Sequence, residues 1–213
     1  MPYSNWATRV KKTLHASEQE RPEVKKQRRA WKRKIRKVDP NRLVFLDESG
    51  AKTNMTRQYG RAPAGQRLFD AVPGGHWNTT TMISAIRLEG VAAAMVTEEA
   101  TNTLVFTGFI ERFLVPVLRP GDIVVMDNLS SHKANCVAEA IEAVGAEVWY
   151  LPPYSPDLNP IELMWSKVKN LLRGLAARTK RTLITAIGKA LNAVTPEDAA
   201  GWFAHGGYGT RNC

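Results

Sequence analysis

Cysteine is almost missing from this chain: Cys136 and Cys213 are the only two in 213 residues. Two cysteines cannot build the disulfide framework of a small secreted domain, and neither sits in a metal-ligand spacing. Histidine is as sparse, at positions 15, 76, 132 and 205, and equally scattered. No apolar run approaches the roughly 18 residues that suggest a membrane span. The basic, polar N-terminus has no apolar stretch of the signal-peptide kind. No internal repeat is visible. These absences point to a reducing, cytoplasmic setting without a membrane partner. What is left is ordinary globular composition, 44% apolar and 23% charged, on a chain suited to one main domain with a substantial core.

Charge is where the composition becomes unusual. Residues 1–38 hold thirteen Lys or Arg against three Glu, which accounts for the whole net charge of +10; the other 175 residues carry seventeen of each sign. Such a concentration describes a polyanion-binding arm, drawn here as residues 1–40, on a neutral body, residues 41–213. Within the arm, Val24, Trp31, Ile35 and Val38 recur at helical spacing. Lys25, Lys26, Arg28, Arg29, Lys32, Arg33 and Arg36 cover the rest of a helix expected over 22–38 and stopped by Asp39-Pro40. The narrow apolar stripe would dock the helix through Trp31, while the density of like charge favours nucleic acid as its partner.

The body predicts a strand over 43–47, turns and short strands over 59–72, and a β-hairpin from 78–87 and 91–96. A helix over 103–118, a strand over 123–127, a helix over 133–144 and a strand over 147–151 follow. The chain ends with helices from 160 to about 175 and over 182–194, then a glycine-rich tail. Strands first, then alternating helices and strands, indicate an α/β fold: a mixed sheet covered by helices on its faces.

Two segments share one design, four apolar residues followed by aspartate: Leu43-Val44-Phe45-Leu46-Asp47 and Ile123-Val124-Val125-Met126-Asp127. Continuous apolar runs suit strands buried on both faces. If the two are parallel neighbours, about 4.8 Å apart, both carboxylates emerge at the carboxyl edge, where open α/β sheets place their chemistry. Adjacent carboxylates repel, and a hard divalent cation such as Mg²⁺ or Mn²⁺ relieves that repulsion. The third candidate is Glu162, after a loop stiffened by Pro152, Pro153, Pro156 and Pro160. Asn159 is placed as helix N-cap and Pro160 as first helical residue, so Glu162 falls at the third position. The Asn159–Glu162 spacing is also that of a capping box, which would make Glu162 structural.

Taken together, Asp-Glu-Ser-Gly at 47–50, Val-Met-Asp-Asn at 125–128 with Ser131-His132-Lys133, and Leu-Pro-Pro-Tyr-Ser-Pro-Asp-Leu-Asn-Pro-Ile-Glu at 151–162 resemble the three motifs of DDE transposases. More narrowly, they resemble the bacterial insertion-sequence branch of the mariner-like superfamily. The resemblance covers about residues 40–210. It implies a ribonuclease-H-like fold with a five-stranded mixed sheet, and Asp47, Asp127 and Glu162 as catalytic residues and ligands of two Mg²⁺ or Mn²⁺ ions, Asp47 common to both. It implies cleavage of double-stranded transposon ends and strand transfer into target DNA at TA sites, by a homodimer in a bacterial, nucleoid-associated setting. Asn128, His132 and Lys133 would stand behind the acids or touch DNA. Lys167, with Lys169, Arg173, Lys180 and Arg181, would hold phosphates. Glu48 reads as a structural carboxylate rather than a fourth ligand. The family's N-terminal helix-turn-helix region has no counterpart here, so recognition of element ends is expected from a separate domain. A ribonuclease-H-like nuclease or resolvase without strand transfer, and a non-catalytic DNA-binding remnant, are the alternatives.

Overall fold

The computed structural model describes residues 16–57, 59–129, 132 and 134–209. Its centre is one five-stranded sheet made of β1 (Leu43–Lys52), β2 (Thr79–Arg87), β3 (Gly90–Thr97), β4 (Ile123–Met126) and β5 (Glu147–Tyr150), in the order β3-β2-β1-β4-β5. The three strands β1, β2 and β3 are antiparallel neighbours. On the other side of β1, strands β4 and β5 run parallel to it. Leu43 pairs with Ile123 and Phe45 with Val125, so the two apolar runs are adjacent and in step, as their matched design predicts.

Strand alternation divides these runs between two cores. Leu43, Phe45, Ile123 and Val125 point to one face, where the long helices α4 (Pro160–Leu175), α5 (Lys180–Asn192) and α6 (Pro196–Gly206) pack. Val44, Leu46, Val124 and Met126 point to the other, against α2 (Thr103–Phe109) and α3 (Asn135–Glu142). All eight side chains are essentially inaccessible to solvent. No described helix is long and apolar enough to cross a membrane.

The basic helix α1 (Pro22–Ile35) is seated on the body, not held away from it. Its stripe of Val24, Trp31 and Ile35 is buried, and Trp31 and Ile35 join the core that also holds α4 and α6. Trp31 Nε1 donates to the Tyr208 hydroxyl at 3.0 Å, and that hydroxyl donates onward to the Leu158 carbonyl. Lys34 lies 3.2 Å from the centre of the Trp149 ring, a cation–π contact that holds the end of the helix against β5.

Four sequence expectations need correction. The 59–72 stretch contains no strand among the described residues and is open to solvent throughout; Tyr59 and Phe69 are more than four-fifths exposed. The helix expected over 103–118 stops being regular at Ile110, where a π-helical turn (Ile110–Leu114) is followed by a 3₁₀ turn (Val115–Val117) around Pro116. A proline cannot donate into the helical ladder, which accounts for the loosened end. The helix expected from 133 begins at Asn135. The glycine-rich tail conceals α6, which starts at a capping box between Thr195 and Asp198 with Pro196 at the first position, and ends at left-handed Gly207.

Candidate active site

Asp47, Asp127 and Glu162 line one cleft of about 530 Å³, with the proline-rich loop as its opposite wall. Three separate parts of the fold deliver them. Asp47 lies within β1, opposite Ser84 of β2, because β1 continues to Lys52 where its apolar run had suggested an end. Asp127 follows the last residue of β4. Glu162 stands in the first turn of α4, and Pro160 occupies the first helical position. Asp47 shares its strand face with Leu43 and Phe45, the face on which α4 packs, so the pleat turns it toward the start of α4.

The capping alternative for Glu162 fails. Asn159 occupies the N-cap position but its side chain makes no capping bond, and its Oδ1 is buried without a partner. Helix entry is set instead by Pro160 and by the 3₁₀ turn (Pro156–Leu158) that precedes it.

Two of the acids, Asp47 and Glu162, are held where their charge is costly. Burial, the charge of Glu162 and those of Glu48 and Asp127 push the Asp47 carboxyl up to about 7. Burial also raises Glu162; Lys169 opposes this and Asp127 adds to it. A carboxylate group placed this way stores electrostatic free energy that a cation releases. The donors are hard oxygens, with no thiolate among them, so the chemistry suits Mg²⁺ or Mn²⁺. Among the described residues no three acidic, histidine or cysteine side chains stand as a ready-made metal cage.

The wall of the cleft is anchored from both sides. Asn128 Nδ2 donates to the Leu151 carbonyl. Tyr154 takes a left-handed conformation at φ 53°, a strain of roughly 1–2 kcal/mol for a residue with a Cβ. Gln19 Nε2 donates to the Tyr154 carbonyl at 2.5 Å, and the Arg28 guanidinium donates to Ser155 Oγ at 2.6 Å and to both oxygens of Asp157 at 2.9 and 2.6 Å. Arg28 therefore holds the proline loop, and its side chain is only 14% exposed. Its hydrogen bonds hold the Asp157 carboxyl below the usual carboxylate range. Because Asp157 is half exposed, a double-mutant cycle with Arg28→Ala and Asp157→Ala should return a coupling of about 1 kcal/mol or less in denaturant melts. Zero coupling would show that the pair does not hold the loop.

Two further candidate DNA contacts are also engaged elsewhere. His132 is fully buried, with Nε2 2.8 Å from Glu48 and Nδ1 2.7 Å from Asp127, so it stands behind the acids. Burial lowers its pKa, but Asp127 and Glu48 outweigh that and lift it to about 9. Lys167 bonds Asp198 and so ties α4 to the start of α6. Lys133 and Ser131 lie outside the described residues. Of the other candidate contacts, Lys25, Lys26, Arg29, Lys32 and Arg33 of α1 and Arg36 just after it are exposed, with Lys25 paired to Glu20.

The family model for the DDE superfamily endonuclease matches residues 42–184, a span that contains all three acids. The chain belongs to this family. No curated protein matches it, but solved structures do. A Mos1 transposase paired-end complex with left transposon end aligns with 93% of this chain at 20% identity and a TM-score of 0.69. The Mos1 strand transfer complex aligns with 95% at 21% identity and a TM-score of 0.67. The catalytic domain of Mos1 mariner transposase aligns with 93% at 17% identity and a TM-score of 0.64. At such identities the DDE endonuclease chain shares their fold. It spans 63% of the longer Mos1 chains and 92% of the isolated catalytic domain.

Proposed function

We propose that this DDE endonuclease is the catalytic domain of a DNA transposase, cutting transposon ends and joining them to target DNA with divalent metal. The observation that carries the reading is the convergence of Asp47, Asp127 and Glu162, from three distant segments, on one cleft of the sheet's carboxyl edge. The similar fold of a Mos1 mariner complex determined with Mn, and of another with Mg, supports it.

Asp47, Asp127 and Glu162 would hold two ions, with Asp47 common to both. The chemistry such metal would supply there is activation of a water or a DNA 3′-hydroxyl and stabilisation of the leaving oxygen in phosphoryl transfer. The residues of the chain supply position. The pairing of β1 with β2 fixes the backbone of Asp47, the rigid loop fixes the start of α4, and Lys169 places a positive charge beside Glu162. The exposed cations of α1 would grip phosphates, setting where duplex DNA lies without reading its sequence. A homodimer holding paired ends, and a separate N-terminal domain that recognises them, complete the proposal.

The decisive experiment incubates the protein with a labelled, pre-cut element end and a supercoiled plasmid in Mg²⁺. Covalent joining of the labelled 3′ end supports the transposase. Nicking without joining favours a nuclease or resolvase, and salt-sensitive binding with neither favours a binding remnant. The grip of α1 is tested separately with Lys26, Arg29, Arg33 and Arg36 changed together to alanine. The slope of log affinity against log salt should become shallower by about 0.9 for each phosphate no longer neutralised, up to about 3.6 in all. An unchanged slope would place the duplex elsewhere.

A further inference from the structure

We propose that Glu48 is a positioning residue which, acting through the imidazole of His132, sets where Asp127 stands relative to Asp47. This rests on the reading of Asp47 and Asp127 as metal ligands.

Glu48 directly follows Asp47 on β1, and consecutive strand residues point to opposite faces of the sheet. Asp47 therefore faces α4, whereas Glu48 faces the side covered by α2 and α3, with Val44 and Leu46. From there its carboxylate meets His132. The imidazole has 0% exposure and lies between two acids, its Nε2 2.8 Å from Glu48 Oε2 and its Nδ1 2.7 Å from Asp127 Oδ1. The Nδ1 contact is short but is not aligned as a hydrogen bond.

Further contacts remove the ring's remaining freedom. Its face stacks on Phe106 of α2, with centroids 4.2 Å apart and planes 25° from parallel. Its main-chain carbonyl accepts from the Tyr150 hydroxyl at 3.1 Å, which ties the loop after β4 to β5. With the ring plane set by Phe106 and one edge by Glu48, the other edge has one direction in which to present Nδ1.

Asp127 is the acid this line of contacts reaches. The ladder between β4 and β5 ends at Met126 and Tyr150, so Asp127 lies beyond the last paired residue. Its Oδ1 accepts from the Leu129 amide at 2.9 Å, a local turn that does not by itself relate it to β1. The line from Glu48 through His132 to Asp127 spans that gap. It links the residue next to one acid with the other acid.

Two conservative variants separate reach from charge. Glu48→Asp keeps the charge but draws the oxygen back by one methylene, breaking contact with Nε2; Glu48→Gln keeps an acceptor at full length. In the full chain, Mn²⁺ affinity is measured by electron paramagnetic resonance, alongside thermal melting and Mn²⁺-dependent nicking. Glu48→Asp should bind Mn²⁺ about 10–100-fold more weakly, the cost typical of losing an outer-shell partner. Glu48→Gln should stay much nearer wild type, and both should melt cooperatively. Wild-type Mn²⁺ affinity in Glu48→Asp overturns the proposal, since the contact would then be merely structural. Loss in Glu48→Gln as deep as in Asp127→Asn also overturns it, by making Glu48 a ligand. If wild type and Asp127→Asn bind Mn²⁺ alike, the metal-site reading itself has failed and the brace falls with it.

Discussion

Asp127→Asn should abolish Mg²⁺- or Mn²⁺-dependent nicking of DNA while leaving the protein folded and able to bind DNA. The amide oxygen of asparagine can still accept from the Leu129 amide, as Oδ1 of the aspartate does, so the local turn survives. What disappears is one negative charge on a cleft whose remaining acids, Asp47 and Glu162, sit among groups that raise their proton affinity. Metal catalysis of phosphoryl transfer contributes several kcal/mol of transition-state stabilisation. A loss of about 4 kcal/mol corresponds to roughly a thousandfold in rate. Single-turnover nicking of supercoiled DNA, run beside salt-dependent binding of the same variant, makes the measurement. Nicking within about tenfold of wild type, a loss of only about 1.4 kcal/mol, would remove Asp127 from the chemistry. The same assay with EDTA should silence the wild type, and added metal should restore it.

The second large effect concerns stability. Trp31→Ala should cost about 3–5 kcal/mol, the range for deleting a buried aromatic side chain. Trp31 is 6% exposed, meets Trp149 edge to face at 6.1 Å, and donates to Tyr208, whose ring packs on Phe45 at 4.8 Å. For a domain of this size each kcal/mol shifts the melting temperature by about 2–4 °C, so a drop on the order of 10 °C is expected. Trp31→Phe would keep most of the packing and lose the hydrogen bond, costing about 1 kcal/mol from that bond. A melting temperature unchanged in Trp31→Ala would mean that α1 does not contribute to the core. The experiment matters for function because α1 presents the cations to solvent and, through Arg28, also holds the wall of the cleft, as does Gln19 just before the helix.

Much of this arrangement is legible in the residues, for reasons that can be named. The paired runs ending in Asp47 and Asp127 show parallel neighbours because a strand buried on both faces accommodates four consecutive apolar side chains. Pro160 marks the start of α4 because proline is suited to a helix's first position and poorly to its interior. The extension of β1 is hidden, since Glu48-Ser49-Gly50 has little strand preference of its own and is held by pairing with β2. Helix α6 is hidden by Gly201, Gly206 and Gly207, although Thr195-Pro196-Glu197-Asp198 is a readable start. Arg28 looks like one cation among many, yet it lies four residues after Val24 and three before Trp31, on the buried stripe rather than opposite it. That position is the available clue to its inward role. The motif resemblance singles out His132, but no local pattern foretells its partner Glu48. Its contact with Glu48 joins residues 84 apart in the chain and is a product of the strand crossing.

The pairing of β1 bears on which ions the centre accepts. From Asp47 to Lys52 every residue is matched across to β2, whereas Asp127 and Glu162 stand just outside their strand and at the head of a helix. Stiffness is thus unevenly shared among the corners of the triangle. If the three acids hold metal as proposed, an ion of larger radius, such as calcium, would find one corner stiff and be accommodated by displacing the other two. Discrimination by size would then be decided by how firmly the neighbours of Asp127 and Glu162 resist being pushed outward.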